Sequence, residues 1–97
     1  MKLSVSAEAE RELEEAIEFY VKSGGTSLGL SLAAEFERTV SLLQSRPLLG
    51  AQWLKGFRKF SLRRFPFSII YAVSKTELRV LALAHFRRKP GYWAKRK

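Results

Sequence analysis

Residues 57–86 read FRKFSLRRFPFSIIYAVSKTELRVLALAHF, and the fold turns on the period inside this stretch. Phe60 and Leu62 alternate with Lys59, Ser61 and Arg63, the pattern of a half-exposed strand. Arg64-Phe65-Pro66 interrupts it as a turn. Phe67–Val73 is apolar on both faces and rich in β-branched and aromatic residues, which predicts a central strand. After a second turn at Ser74-Lys75-Thr76 the alternation returns from Glu77 to Phe86. Leu78, Val80, Ala82 and Ala84 then share one face, and Leu81, Leu83, His85 and Arg87 the other. The expectation is an antiparallel meander over 57–62, 66–73 and 77–86.

Upstream, the period is helical. Lys2–Val5 suits a short opening strand, and Ser6 stands where a helix N-cap belongs, with Glu8 and Glu10 in the first turn. Leu13, Ala16, Ile17, Tyr20 and Val21 form one apolar stripe, and Glu12, Glu14, Glu15 and Glu18 read as a solvated face. Gly24-Gly25 ends this helix, expected over 7–23. Ser27 is expected to cap a second helix over 27–45, with a stripe of Leu28, Leu32, Phe36, Val40 and Leu43, closed by Arg46-Pro47. Pro47–Gly56 reads as an irregular connector in which Trp53 and Leu54 pack down. The whole chain, 1–97, is then one α+β domain of order β-α-α-β-β-β, a helical hairpin packed on an antiparallel sheet. Phe57, Phe60, Phe65, Phe67 and Tyr71 belong to its core rather than to a base-stacking platform.

Ninety-seven residues with 46 % apolar side chains can fill one core. Cysteine is absent, which excludes disulfides, thiolate zinc sites and thiol nucleophiles, and a lone histidine, His85, leaves no imidazole metal cluster. No metal and no cofactor are expected. No apolar run approaches the ~20 residues of a membrane span, and nothing after Met1 reads as a signal peptide, so the expected location is the cytoplasm. The net charge is +9, and it is divided: residues 1–37 carry three bases and eight acids, residues 38–97 fifteen bases and one acid, Glu77. A segment of net +14 projects a field that selects an anionic partner.

The punctuating residues carry a resemblance over nearly the whole chain. They are the helix opening Ser6-Ala7-Glu8-Ala9-Glu10-Arg11-Glu12-Leu13, then Arg46-Pro47, Phe57-Arg58-Lys59-Phe60, Arg64-Phe65-Pro66-Phe67 with Ile70-Tyr71, and Ala84-His85-Phe86-Arg87-Arg88-Lys89-Pro90-Gly91-Tyr92-Trp93. In this order they resemble the RelE/ParE superfamily of toxins from type II toxin–antitoxin systems. The resemblance implies a growth-inhibiting toxin silenced by a cognate antitoxin. RelE-like members are ribosome-dependent endoribonucleases that cut mRNA; ParE-like members poison DNA gyrase.

Metal-free RNA cleavage needs a base for the 2′-hydroxyl, an acid for the leaving oxygen and cations for the phosphorane-like charge. RelE-like nucleases supply them with strand lysines and arginines and a late tyrosine. Here the resemblance places Lys59 and Arg87 at two of those positions and Tyr92 beside Trp93 at the aromatic one, while Ser61 and Ser68 stand where a lysine and an arginine are expected. Other superfamily nucleases use a histidine near His85, whose plainer role is a hydrogen-bonded strand end. A nuclease would thus draw on Lys59, His85, Arg87 and Tyr92. The two serines favour the ParE-like branch, with gyrase rather than the ribosome and mRNA as target and no chemistry of its own; a basic nucleic-acid-binding domain without toxicity is the plainest alternative. Arg63, Arg64, Arg87, Arg88 and Lys89, with Tyr92 and Trp93 either packed or exposed, are the expected target-binding set. The five cations are expected to form one connected region, and the antitoxin to be an acidic chain that masks part of it.

Overall fold

Ser6 sets the start of the first helix. Its backbone is extended, and its Oγ accepts the N–H of Ala9 at 3.1 Å, satisfying a donor that has no helical partner. The structure, a computed structural model, describes residues 1–97: β1 (Lys2–Val5), α1 (Ala7–Gly24), α2 (Thr26–Ser45), β2 (Ala51–Gln52), a 3₁₀ turn at Leu54–Gly56, β3 (Arg58–Ser61), β4 (Phe67–Val73) and β5 (Glu77–His85). The helical hairpin is tighter than the sequence suggests. Only Gly25 separates the helices, and at φ 93° it turns the chain at once: its N–H closes α1 on the Val21 carbonyl, and its own carbonyl accepts from Leu28. Ser27 therefore lies inside α2 and caps nothing, because the positive-φ glycine has already taken the N-cap position. Gly29 lets the helices close on each other, since a Cβ there would collide with Val21 and the Ile17 carbonyl.

The sheet order is β1-β5-β4-β3-β2. The meander forms as expected, but β1 adds to β5 in parallel, so the sheet is mixed. The return through both helices makes that parallel pairing possible. β2 pairs with β3 at the opposite edge, giving the presumed irregular connector two ordered residues. Trp53 and Leu54 do not pack down; both are exposed, because β2 holds them at the sheet rim, and the Trp53 ring instead lies under the Lys59 ammonium at 4.5 Å.

One face of the sheet receives the helices. Leu32, Phe36, Val40 and Leu43 of α2 and Ala9 and Ala16 of α1 pack on Phe67, Ile69, Tyr71, Leu78, Val80 and Leu83. The opposite face is covered at Ile70 and Ala82 by Trp93, which is 2 % exposed and meets Phe57 edge-on. The simple alternation predicted for β5 fails midway. Tyr71 pairs with Val80 and Ile70 with Ala82, which leaves Leu81 without a partner. This bulge resets the faces: Leu83 follows Leu78 and Val80 onto the helix side, and Ala82 goes to the other. No helix is long and apolar enough to cross a membrane.

Because Trp93 is the largest side chain buried in that second cluster, Trp93→Ala is expected to cost about 3–5 kcal/mol. Urea unfolding of the two proteins measures it; a loss below about 1 kcal/mol would show that the C-terminal segment is dispensable to the fold.

Candidate functional site

The turn between β3 and β4 is built on a buried carboxylate. Glu35 rises from the apolar stripe of α2, and its Oε2 accepts the backbone N–H groups of Arg63 (2.6 Å) and Arg64 (3.1 Å). Its Oε1 accepts from Arg64 Nε at 3.1 Å. Burial works to raise the Glu35 pKa, but the bonds from the Arg64 backbone and side chain and the Arg63 backbone outweigh it and hold the carboxyl below its ordinary range. The turn is thereby locked with its cations outward: the Arg64 side chain remains 61 % exposed, and Arg63 is exposed.

The second half of the site adjoins it. The Phe86 N–H donates to the Pro66 carbonyl at 2.9 Å, which joins the chain leaving β5 to the turn entering β4. His85 holds the next turn, its Nδ1 accepting the Arg87 N–H at 3.0 Å and its carbonyl the Arg88 N–H at 3.0 Å. Arg63, Arg64, Arg87, Arg88 and Lys89 consequently lie at one end of the sheet, all exposed. Of eighteen Lys and Arg side chains, only Arg64 and Arg96 meet a Glu carboxylate, so four of the five cations at this end have no ion pair within the fold.

Tyr92 and Trp93 are not free. The Tyr92 hydroxyl donates to Glu12 Oε2 at 2.6 Å, and its ring is stacked under Arg88 at 3.8 Å. Burial, then the bond to Glu12 and its charge, push the Tyr92 phenol far above its ordinary range. Trp93 is buried under the sheet and presents no surface to a partner, which removes it from the contact set. Glu12 is likewise corrected: it is not solvated, since it binds Tyr92, Arg96 (2.9 Å) and the Leu83 N–H (3.1 Å). Both missed carboxylates have a signal in the sequence. Glu12 stands at helical spacing from Ala9 and Ala16, and Glu35 beside Leu32 and Phe36, so each interrupts a buried stripe.

The residues weighed for RNA cleavage border one hollow of about 140 Å³, Arg87 excepted, and of their reactive groups the Tyr92 hydroxyl is committed to Glu12. Lys59 lies across from Ile70, on the face away from the helices, against Trp53. His85 lies across from Phe67, on the helix side, with the two rings edge-on at 5.0 Å. Ser61 and Ser68 are direct partners across β3 and β4, their hydroxyls 3.1 Å apart. No three His, Cys, Asp or Glu side chains come together to hold a metal ion.

The depressed Glu35 pKa makes the turn acid-sensitive. Its stabilisation is complete above the unfolded-state value of about 4.3 and is lost as pH falls through the lower folded-state value. Glu35→Gln is therefore expected to cost about 1–3 kcal/mol near neutral pH, with the gap from wild type closing in acid. Chemical denaturation at pH 7 and pH 3 checks both; a gap independent of pH would show that shape, not charge, is what Glu35 supplies.

Comparison with known proteins follows the same lines. The model of a family described as "ParE toxin of type II toxin-antitoxin system, parDE" matches residues 3–90. Among solved structures, a chain from "Chromosomal ParDE TA system from P. aeruginosa" superposes with a TM-score of 0.79 at 25 % identity, covering 88 % of this chain and 95 % of its own. No curated protein matches. A hairpin of helices on a five-stranded sheet, the match over 3–90 and the solved relative agree: the chain belongs to the ParE toxin family of type II toxin–antitoxin systems.

Proposed function

We propose that this protein is a growth-inhibiting toxin that acts in the cytoplasm by binding and poisoning DNA gyrase, with no chemistry of its own, and that a cognate acidic antitoxin silences it. The observation that carries this reading is the Ser61–Ser68 pair. Two positions where a RelE-like nuclease would concentrate positive charge hold neutral hydroxyls that satisfy each other. Lys59, on the same face, lies against the Trp53 ring. Without those two cations, phosphorane-like charge loses much of the stabilisation a RelE-like site would give it. The exposed charge is instead concentrated at the sheet end that carries Arg63, Arg64, Arg87, Arg88 and Lys89. That arrangement favours long-range attraction and surface recognition over acid–base catalysis. The mRNA-endoribonuclease reading draws on Lys59, His85 and Tyr92, which border one hollow, but the Tyr92 hydroxyl is already bonded to Glu12 and Arg87 stands outside the hollow.

Expression in bacterial cells separates the alternatives. Gyrase poisoning induces the DNA-damage response and accumulates cleaved DNA; a ribonuclease stops translation and leaves cut mRNA; a harmless nucleic-acid-binding domain does neither. The first outcome is expected. Arg87→Ala with Arg88→Ala is expected to abolish growth inhibition. Arg88 contributes one surface cation–π contact of about 0.5–1 kcal/mol, so melting should fall by only a few degrees, roughly 2–8 °C. Full toxicity in a folded double variant would exclude these arginines from the contact surface. The complex with the antitoxin should associate more slowly as salt rises, with dissociation much less affected, which stopped-flow mixing at several ionic strengths reads directly.

A further inference from the structure

One large apolar side chain stands among the cations at the end of the sheet. Phe86 is 59 % exposed, and Arg87, Arg88 and Lys89 follow it directly. Arg63 and Arg64 approach it from the other side, because the Phe86 N–H is bonded to the Pro66 carbonyl at the exit of their turn. The backbone after the ring is fixed as well, since the N–H groups of Arg87 and Arg88 both end on His85. The ring is thus held out from an anchored backbone rather than from a loose tip, and it forgoes much of the stabilisation that burial would give it.

The charge around this ring has one sign. The single acid of residues 38–97, Glu77, begins β5 at its opposite end, and Glu35 is committed to the turn itself. Of the five cations, only Arg88 shares a hollow with acids of α1, Glu12 and Glu15. Protein interfaces deplete charge at their cores, whereas interfaces with DNA are strongly positive. A duplex presents one negative charge per ~1.7 Å of its axis, a density that can engage all five cations at once. The aromatic component then chooses between nucleic acids. A single strand needs several open rings for successive bases. Here the Tyr92 ring already carries Arg88, the Trp53 ring carries Lys59, and Trp93 is buried. One open ring between phosphate-binding groups suits a wedge that enters one base step of a duplex.

We propose that the basic end of the sheet binds double-stranded DNA, with the Phe86 ring wedged at one base step and Arg63, Arg64, Arg87, Arg88 and Lys89 on the phosphates to either side. This rests on the reading of that end as the acting surface and gives it a nucleic-acid ligand besides the protein target. Accumulated cleaved DNA, the expected outcome of poisoning, requires a duplex in the same assembly. A toxin that touches the duplex holds target and DNA together.

The test titrates the purified protein into two duplexes of equal composition, one with a central TpA step, which unstacks readily, and one without it. Wild type is expected to prefer the TpA duplex several-fold and to lose affinity steeply with salt. Phe86→Ala is expected to bind about tenfold more weakly and to lose the preference, with its salt slope unchanged. Phe86→Leu, still a wedge, should recover part of both; should the alanine variant fail to melt cooperatively, Phe86→Gln carries its expectation. Arg63→Gln with Arg87→Gln should flatten the salt slope by about two and keep the preference, since each phosphate contact contributes about 0.9. Lys75→Gln, in the β4–β5 turn at the other end of the sheet, is the control and should bind as wild type does. A folded Phe86→Ala protein that keeps both affinity and preference overturns the inference. Tighter binding to the same sequence as a single strand or as an RNA helix overturns it too. So does a wild-type protein that binds no duplex at low salt; if its expression still induces the DNA-damage response, the gyrase reading stands, and if it does not, both fall.

Discussion

β5 has nine residues and its parallel neighbour β1 only four, and much of the molecule is a response to that mismatch. Beyond Val80 the strand has no partner on that side, yet its polar backbone is too buried to be left to water. The bulge at Leu81 exposes one carbonyl, which receives the Ser6 hydroxyl and Arg96. The Leu83 N–H goes to Glu12. Glu12 in turn gathers Tyr92 and Arg96, and so draws the C-terminal segment across the edge of the sheet. Trp93 follows from this: once the segment is held there, the indole covers Ile70 and Ala82. A short first strand thus accounts for the placement of a helix carboxylate, a terminal arginine and the closure of the second face.

The two carboxylates with internal partners perform the same service at two places. Glu12 satisfies an orphaned strand edge, and Glu35 satisfies an orphaned turn. Buried charges are retained when their oxygens have donors; Glu12 receives four and Glu35 three, with neither oxygen of either left bare. Among the cations only the side chains of Arg58, Arg64, Arg79 and Arg96 gain hydrogen-bond partners. Most of the positive charge of residues 38–97 faces solvent, and the turns bound to Glu35 and His85 hold five of those cations at one end of the sheet. The acids are concentrated on α1, of which Glu12 and Glu15 reach Arg88 across one hollow, so the molecule is electrically polar as well as basic. Such polarity governs encounter rates and orientation more than final affinity.

Secondary structure was legible because periodicity survives translation into three dimensions. A stripe at three- and four-residue spacing has to be one side of a helix, and Phe67–Val73, apolar on both faces, has to be a covered strand. The family was legible too, since turns and caps such as Ser6, Pro47 and Pro66 recur at spacings set by the lengths of the elements between them. The cationic set could be enumerated from composition alone. What the linear pattern could not contain was any relation between distant segments. The parallel seat of β1, the bulge that exchanges the faces of β5, and the pairing of Ser61 with Ser68 depend on strand register, which only packing against the helices selects. Glu12 looked like its solvated neighbours because its partners lie 71, 80 and 84 residues away. Tyr92 and Trp93 looked available for the same reason. Local sequence determines which conformations each segment prefers; the satisfaction of buried polar groups between remote segments is a property of the assembled fold, and that decided which charged and aromatic side chains were left to meet a partner.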